Sequence, residues 1–552
     1  MRKTWKRLAA LGLAGVMAAG AVAGCSSKSG GSDNAGQTAA AQKGQDSQNG
    51  QSGQSSSEEP VTIDWLAYDC YGQPDPESEV VKAVEERFNV KFNFWYVDSQ
   101  KWDDVLGAKL SSGEMPDVMK VRSNSNLPIY IKQGILAPIT EDMQAKIPET
   151  MRQLKEVDED GTGFIDAYYE GQLYELKVPS LSGLYPTVLV WRTDWLKNLG
   201  IDKIPSTIDE METALYAIRN NDPDGNGVKD TYGLSNTGLN AVFGAYGAIP
   251  LKEFRGTGAQ SLFYTMKNDR IEFACIQPEM KEALAKLQQW YKDGVIDPEF
   301  ITGENTGGYW AVSQAFNNGK VGVTGMALSS HWLTPKKEGE SGGQCYAEFA
   351  ALNPGTVWGE TIDIGPAIKG PEGKSGTHCW GAYGNSGYAF TTKAMEDPRK
   401  VDAILAIIEA RSTDKDFYTF TSFGVEGKHF EYNENGVPKR LEPYNKTSEY
   451  SKEGVAVFKV GFNSEVESNM EPHAKEFYEK YKTPGYKDIL VPPVDAANQY
   501  LTDLKTFTLD AYIKFITGEE SIDKFDDFVE QFNALGGEQI INEINEEVSK
   551  NK

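Results

Sequence analysis

Hydrophobic and polar residues follow two different periods in the first patterned stretch of the chain. The segments 61–65, 92–96 and 115–119 have the apolar composition, or the two-residue alternation, of strands. Between them, the segments 80–88 and 102–110 repeat apolar residues at helical spacing. The order strand, helix, strand, helix, strand predicts an α/β fold with a parallel sheet covered by helices.

A second region of this kind begins near Tyr185. Thr207 and Glu210 form the capping-box pattern that opens a helix. No internal sequence repeat is present, and a folded part of about 490 residues exceeds what one hydrophobic core usually serves, so two lobes are expected. Apolar periodicity predicts the remaining elements at 187–191, 208–218, 278–291, 388–390, 398–408, 500–515 and 522–532.

Residues 1–25 have a pattern typical of targeting segments. Basic residues within 2–7 precede an uncharged stretch, 8–23, that is short for a membrane span and rich in Ala, Gly and Leu. Small residues then stand directly before Cys25, which resembles the lipobox of bacterial lipoprotein precursors. We expect 1–24 to be a signal peptide and Cys25 to carry two acyl chains, which suffice for stable anchoring. The alternative is a soluble secreted protein in which Cys25 falls there by chance.

Ser, Gly, Gln, Asn and Ala dominate the next segment, 26–58, which has almost no aliphatic side chains. Such a segment buries too little apolar surface to offset its chain entropy. We therefore predict a flexible tether over 25–59 and a folded part that starts near Pro60. No later stretch is long and apolar enough to span a bilayer.

The net charge of −25 argues against nucleic acid as a partner, because phosphate binding needs a basic surface. Apart from Cys25, the cysteines are Cys70, Cys275, Cys345 and Cys379, far apart and without a CxxC pattern. The sequence leaves both disulfides and buried free thiols open.

Six different short sequence motifs are spread along nearly the whole folded part. They are SGEMPDV at 112–118, QGILAPI at 133–139, WRTDWLKNLG at 191–200, WYKDGVIDPEF at 290–300, FNNGKVG at 316–322 and GVEGKH at 424–429. In this order, after a lipobox, they resemble the extracellular solute-binding proteins of family 1, in particular the long Firmicute-type lipoproteins linked to oligosaccharide ABC importers.

The resemblance implies a two-lobe, periplasmic-binding-protein-like (type II) α/β fold with a ligand cleft between the lobes and a helical C-terminal region. The chain would cross between the lobes near Val178–Tyr185 and near Cys379–Gly387. On this analogy, lobe one holds 60–180 and 385–425, and lobe two holds 185–378 and 426–552.

A sugar ligand needs flat aromatic platforms and a few placed polar groups in a concavity. Polar and aromatic residues follow the predicted strands, at the sheet edge where open α/β sheets bind ligands. Others lie on the predicted crossings, in a Gly-rich stretch, or where similar maltose-type binders place a stacking Trp. The candidate ligand-binding residues are Tyr68, Asp69, Tyr71, Ser123, Asn124, Asn126, Tyr185, Tyr246, Trp332, Trp380, Tyr383 and Asn385, with Trp332, Tyr185, Trp380 and Tyr68 foremost.

Core packing is the alternative role for each aromatic residue. We prefer it for the residues that lie in patterned elements or carry no ligand signal: Trp191, Trp195, Trp290, Tyr291, Trp95 and Trp102.

Catalysis has little support in the sequence. The histidines are His331, His378, His429 and His473, without HExxH or zinc-ligand spacing, and no GxSxG elbow is present. Carboxylates are plentiful, so counting alone leaves an acid/base pair for glycoside hydrolysis open.

The leading hypothesis is therefore a binding protein, not an enzyme. It would capture an oligosaccharide and deliver it to ABC-importer permease subunits, as a monomer held by lipid on the extracellular face of the cell membrane. A secreted glycan-active hydrolase and a sugar-sensing subunit for a membrane receptor are the alternatives.

The loop 222–230 resembles a calcium-binding loop of the EF type. Gly227 stands at position six, where such a loop turns sharply, and oxygen ligands fall at alternate positions. The departures are Gly233 in place of the bidentate Glu at position twelve and Thr231 at position ten. A bare Asp/Asn/Gly turn is the alternative. The predicted ligands of a structural Ca²⁺ are Asp222, Asp224, Asn226, Val228 and Asp230.

Overall fold

The described residues all belong to one compact unit, 59–552. In the computed structural model these residues are 59–98, 101–158, 161–252, 254, 262–302, 313–337, 342–384 and 386–550. The predicted signal peptide, the lipidation site Cys25 and the tether to Glu58 lie outside the described residues.

Strands are mostly short. In chain order they are β1 Val61–Leu66, β2 Val90–Phe94, β3 Val118–Val121, β4 Tyr168–Tyr169, β5 Gln172–Leu173, β6 Thr187–Arg192, β7 Tyr264–Lys267, β8 Arg270–Phe273, β9 Val323–Leu328, β10 Ile362–Gly365, β11 Thr377–Cys379, β12 Gly387–Phe390, β13 Phe430–Tyr432, β14 Pro438–Arg440 and β15 Gly485–Lys487.

Helices make up most of the regular structure. They are α1 Glu79–Phe88, α2 Trp102–Ser111, α3 Leu127–Lys132, α4 Glu141–Gln144, α5 Pro148–Val157, α6 Thr193–Asn198, α7 Ile208–Asn220, α8 Asn236–Tyr246, α9 Pro278–Lys292, α10 Gln314–Asn317, α11 Gln344–Leu352, α12 Pro398–Thr413, α13 Lys415–Phe423, α14 Thr447–Lys452, α15 Ser464–Glu467, α16 Pro472–Lys480, α17 Asp495–Thr517, α18 Phe525–Phe532 and α19 Glu538–Lys550. None of the described helices has the length and apolar composition needed to cross a membrane.

The first sheet has the order β12-β3-β1-β2. β1 runs parallel to β2 and to β3, which confirms the predicted parallel β-α-β-α-β unit, and β12 is antiparallel to β3. β3 begins at Val118, later than the predicted Met115, because Pro116 has no N–H to donate to a neighbouring strand.

The second sheet has the order β10-β6-β9 and is antiparallel throughout. The sequence pattern predicted a second region of the same kind as the first, with parallel strands. The prediction of parallel strands was wrong for this sheet. Both faces of β6 are buried: Val188 and Val190 contact one hydrophobic cluster, and Leu189 and Trp191 contact another. A strand buried on both faces is apolar throughout, and such a pattern does not encode strand direction.

Three hydrophobic clusters organise the described chain. The first core surrounds the first sheet and includes Trp65 and Phe458. The second core packs α7, α8, α9 and the C-terminal helices α17–α19 on one face of the second sheet, and the third core covers the opposite face with residues such as Trp332 and Phe477.

The C-terminal region is shared between these cores, which differs from the predicted lobe boundary at 426. Val457, Phe458 and Val460 pack in the first core, where Val457 O accepts a hydrogen bond of 2.9 Å from Trp65 Nε1. The lobe limits otherwise stay a prediction. Cys70, Cys275, Cys345 and Cys379 are buried free thiols.

Candidate ligand-binding site

One cavity, here called the hairpin cavity, has a volume of about 870 Å³. One wall is the turn 433–439 of the β13–β14 hairpin, and the other is formed by 333–337, Gly342 and 471–474 at the start of α16. It lies within the 300–1,000 Å³ that is typical of small-molecule sites.

The two walls of the hairpin cavity are attached to different parts of the fold, and the residues of the hairpin turn lie in none of the described cores. The hairpin is held to α13, whose Phe417 lies in the first core, by a hydrogen bond of 2.8 Å from Arg440 Nη2 to Ser422 O. On the other side, Leu333 and Phe477 pack in the third core. A molecule in this cavity would therefore contact both parts of the fold.

Polar contacts already cross the mouth of this cavity. Lys336 Nζ lies 2.7 Å from Glu434 Oε1, and Asn435 Nδ2 donates to Glu471 Oε2 at 2.8 Å. Because Lys336, Glu434 and Asn435 are exposed and Glu471 is only half-buried, a ligand can compete with these contacts at small cost.

A second cavity, here called the Asn124 pocket, has a volume of about 230 Å³. Its polar wall is the segment 123–125, directly after β3 at the carboxyl edge of the first sheet, together with Asp166. Its other wall belongs to the second core and to the segment that precedes α17, and it is mostly apolar. The residues of that wall include Leu262, Tyr264, Asp488, Val491, Leu501 and Lys505.

Two residues of the polar wall of the Asn124 pocket carry fully buried side-chain oxygens that lack a hydrogen-bond donor among the described residues. Asn124 Nδ2 donates to Asp166 O at 2.8 Å, which fixes the amide and leaves Asn124 Oδ1 without a partner among the described residues. The Asp166 carboxylate forms a buried ion pair with Lys177 through Oδ1, and its Oδ2 also lacks a partner there. Asn124 and Asp166 are only 5% and 2% exposed, so bulk water does not satisfy them.

Further carboxyl groups lie close to this wall. Glu175 is fully buried, and burial raises the pKa of its side chain to about 8, with a further contribution from the Asp166 charge against the opposing effect of Lys177. Burial likewise raises the pKa of Asp488 to about 7, although Lys252 opposes the shift. At neutral pH Glu175 is therefore mostly protonated and Asp488 is about half protonated, because burial disfavours the charged form of each carboxyl group.

Four of the predicted ligand-binding aromatics are buried in this structure, where they contact protein and not the surface of either cavity, so their ligand roles stay predictions. Trp332 is fully buried in the third core, edge-on to Phe316, and Tyr246 is buried in the second core. The buried hydroxyls of Tyr68 and Tyr383 donate to Trp95 O and Leu154 O, at 2.7 and 2.6 Å.

The remaining predicted residues lie nearer the surface. Ser123 and Asn124 line the Asn124 pocket, and Asn126 is half-buried just beyond it. Tyr71 is exposed, Asp69 forms an ion pair with Lys120, Tyr185 packs on Tyr478, and half-buried Trp380 is edge-on to His378. Asn385 lies outside the described residues. None of these ligand roles is tested by the geometry, so they stay predictions.

Sequence reasoning missed the residues that complete both cavities. Asp166, Asp488 and Lys505 come from distant parts of the chain and stand in no motif. The hairpin turn 433–439 carried a turn signal in Asn433-Glu434-Asn435-Gly436, but nothing in it indicated a cavity wall. The preference for core packing was correct for Trp191, Trp195, Trp290 and Trp102, all of which are buried.

The loop 222–230 brings its carboxylates around one amide group. Asn226 Nδ2 donates to Asp224 Oδ2 at 2.8 Å and to Asp230 Oδ1 at 3.3 Å, while Gly227 N donates to Asp222 Oδ2 at 2.9 Å. Burial and the neighbouring carboxylates of Asp222 and Asp230 raise the pKa of Asp224. Nevertheless, no three His, Cys, Asp or Glu side chains in the described ranges lie close enough together to hold a metal ion.

Comparison with known proteins adds independent evidence. The model of the bacterial extracellular solute-binding protein family matches residues 73–394. Lipoprotein LipO of Bacillus subtilis is 25% identical over 86% of this chain and 89% of its own length, and the polygalacturonan/rhamnogalacturonan-binding protein YtcQ of the same organism is 23% identical over 88% and 91%. An EF-hand mutant of the ABC-transporter substrate-binding protein FusA of Streptococcus pneumoniae, in complex with fructo-nystose, matches 89% of this chain and 100% of that one with a TM-score of 0.59 and 18% identity.

Proposed function

Because the chain belongs to the bacterial extracellular solute-binding protein family, we propose that it captures an oligosaccharide for import by an ABC transporter. The observation that carries this proposal is the hairpin cavity, which has room for several sugar rings and lies between the 433–439 turn and the segments 333–337 and 471–474. Relatives named for binding polygalacturonan and fructooligosaccharides support a carbohydrate ligand.

Binding between two separate chain segments would let the ligand influence the conformation of the protein. A ligand shifts a two-state equilibrium only if it binds one state better than the other. A sugar that contacts both the 433–439 turn and the 333–337 segment stabilises the arrangement that brings them together. The ligand-bound form would then be the one that the permease subunits recognise.

Thermal unfolding with a panel of oligosaccharides tests the proposal, since a ligand bound only by the folded form raises the melting temperature. The full-length protein is mixed with kestose, nystose, maltotriose, galactotriose and trigalacturonate, and the sugars are then analysed for new reducing ends. We expect at least one stabilising sugar that is recovered unchanged. New reducing ends would instead indicate a glycan-active hydrolase.

A matched pair of substitutions locates the site. Val437→Trp places a large side chain in the hairpin cavity, whereas Val357→Trp makes the same change at an exposed position outside it. We expect Val437→Trp to lose the stabilisation by sugar and Val357→Trp to retain it. Equal responses in the two variants would contradict the placement of the ligand.

We also propose that Cys25 anchors the protein by lipid to the extracellular face of the membrane, and that the protein acts as a monomer. The lipobox pattern and the similarity to a protein named as a lipoprotein support the anchor. We propose in addition that a structural Ca²⁺ is bound by Asp222, Asp224, Asn226, Val228 and Asp230. The converging carboxylates of this loop and a solved relative with an EF hand support the site.

A further inference from the structure

The tip of the β13–β14 hairpin is joined to the opposite wall of the hairpin cavity by polar side chains. Both carboxylate oxygens of Glu471 accept hydrogen bonds from the tip: Oε1 from Asn433 Nδ2, and Oε2 from Asn435 Nδ2 at 2.8 Å. On the same side, Asn469 Nδ2 donates to Gly436 O at 2.9 Å. These contacts add to the ion pair described above and close part of the cavity mouth.

The wall that carries Glu471 is fixed in place. His473 Nε2 donates to Thr334 O at 2.7 Å, which ties the start of α16 to the segment 333–337. Phe477 of α16 is buried in the third core. Glu471 is therefore attached to a part of the fold that does not move without disturbing a core.

The hairpin itself is held firmly at its base. His429 is fully buried and Phe430 is buried beside it. The guanidinium of Arg440 packs on the rings of Tyr450 and Phe423, at 4.0 and 5.1 Å from their centroids, in addition to its bond to α13. The base therefore fixes where the hairpin starts and ends.

The rest of the hairpin, 431–439, is exposed or half-buried and lies in none of the described cores. Its strands share three residue pairs, and so short a two-stranded ribbon is marginally stable by itself. The turn keeps its own shape, since Asn433 Oδ1 accepts from Asn435 N at 2.9 Å and from Val437 N at 3.0 Å. The tip can therefore move as a unit, and its place over the cavity depends on the contacts across the mouth.

The Glu471 contacts have the strength that such a movable part needs. A carboxylate accepts stronger hydrogen bonds than a neutral group does, which favours the closed position. Because Glu471 is half-buried and Asn435 is exposed, water replaces these bonds when the tip leaves, so opening costs little and breaks no core.

We propose that Glu471 is a positioning residue that holds the hairpin tip across the cavity mouth, so that the tip is a gate through which an oligosaccharide enters and leaves. The gate opens when Asn433 and Asn435 separate from Glu471 while the base at His429 and Arg440 stays in place. This inference rests on the proposed function, since it takes the hairpin cavity to be the sugar site.

Binding kinetics test the gate. Stopped-flow fluorescence of the full-length protein gives the association and dissociation rate constants. The probe is whichever of kestose, nystose, maltotriose, galactotriose and trigalacturonate raises the melting temperature most. Glu471→Gln keeps the size of the side chain but replaces one acceptor oxygen by an NH₂ group, which cannot accept. We expect both rate constants to rise by about fivefold, with a Kd that changes much less. Glu476→Gln, at an exposed position on α16, should behave as wild type.

The pattern of rates separates a gate from other roles of Glu471. A gate changes entry and exit by the same factor, because it leaves the difference between the free and bound states unchanged. If only dissociation becomes faster and the Kd weakens by the same factor, Glu471 contacts the sugar and the gate is wrong. If the melting temperature falls and both rates stay as in wild type, the role of Glu471 is structural and the gate is again wrong.

A covalent closure gives a second test. Asn435→Cys combined with Glu471→Cys allows a short bis-maleimide to join the tip to the opposite wall, and the two single variants are the controls. We expect sugar added before the linker to survive dialysis, and sugar added after the linker to be excluded. A linked protein that exchanges sugar as freely as the unlinked one would overturn the proposal.

The gate and the proposed function fail in different ways. If a sugar of the panel binds and Glu471→Gln has wild-type rates, the gate is wrong and the proposed function stands. If no sugar of the panel binds to the wild-type protein, the proposed function fails, and this inference fails with it.

Discussion

Tyr68 and Tyr71 lie three residues apart after β1 and have opposite surroundings. Tyr68 is 1% exposed, with its hydroxyl hydrogen-bonded to Trp95 O, whereas Tyr71 is 52% exposed. Tyr68→Phe should therefore lower the free energy of unfolding by about 1 kcal/mol, the usual net value of one hydrogen bond. Tyr71→Phe should leave it unchanged within about 0.5 kcal/mol. Urea denaturation measures both, and equal losses would show that Tyr68 is not packed as described.

Glu175 should make stability depend on pH. Its pKa is raised from an ordinary value of 4.5 to about 8, so between these values the folded protein binds more protons than the unfolded chain. Stability then falls as pH rises, by up to about 1.4 kcal/mol per pH unit from this group. Glu175→Gln should flatten the decline between about pH 5 and pH 8 in urea denaturation, and exposed Glu519→Gln should not. The same slope in wild type and Glu175→Gln would contradict the assignment.

The sequence predicted which types of residue could contact a ligand better than it predicted whether each residue is buried or exposed. An aromatic side chain after a strand can form a ligand platform or fill the core, and the local pattern is the same in both cases. Trp332 and Tyr68 were predicted to contact ligand and are buried, because residues from distant segments cover them. Asn124 was predicted from its position after a strand, and it does line a pocket.

At the scale of the element, helix periodicity and end signals located the helices well. Asp397 accepts a hydrogen bond from Arg399 N and opens α12, and Gly518 with φ +80° ends α17. The capping box at Thr207 is only half formed: Thr207 Oγ1 accepts from Glu210 N, but Glu210 bonds to Ser206 N. Such signals are local, so they carry no information on the antiparallel direction of β6 and β9.

The loop 222–230 is the element whose stability should depend on calcium. A cation would relieve the repulsion among Asp222, Asp224 and Asp230, so chelator should lower the melting temperature and added Ca²⁺ should restore it. In Asp224→Ala the melting temperature should no longer respond to chelator, whereas exposed Asp202→Ala, outside the loop, should respond as wild type does. Differential scanning fluorimetry is sufficient. A wild-type melting curve that chelator does not change would rule out this calcium site.

At the scale of the whole molecule, ordered motifs identified the family correctly, since the family model covers 73–394. The path of the chain after residue 426 was harder to predict. Val457, Phe458 and Val460 return to the first core, α16 packs on the third and α17–α19 pack on the second. Each of these segments is amphipathic or apolar by itself, and its composition does not determine which core the segment packs against.

The proposed lipid anchor would determine where the protein works, and it rests on one thiol. Two acyl chains hold a protein stably at a membrane, so the wild-type protein should fractionate with membranes. Cys25→Ser removes the acylated thiol, and we expect that variant in the medium or as an unprocessed precursor. Ser26→Cys combined with Cys25→Ser is the matched control, because it restores a thiol one residue away from the lipobox position. Immunoblots of membrane and medium fractions, with mass spectrometry of the amino terminus, separate these outcomes. If the Cys25→Ser protein stays with the membranes as wild type does, another segment holds it there and the lipobox assignment is wrong.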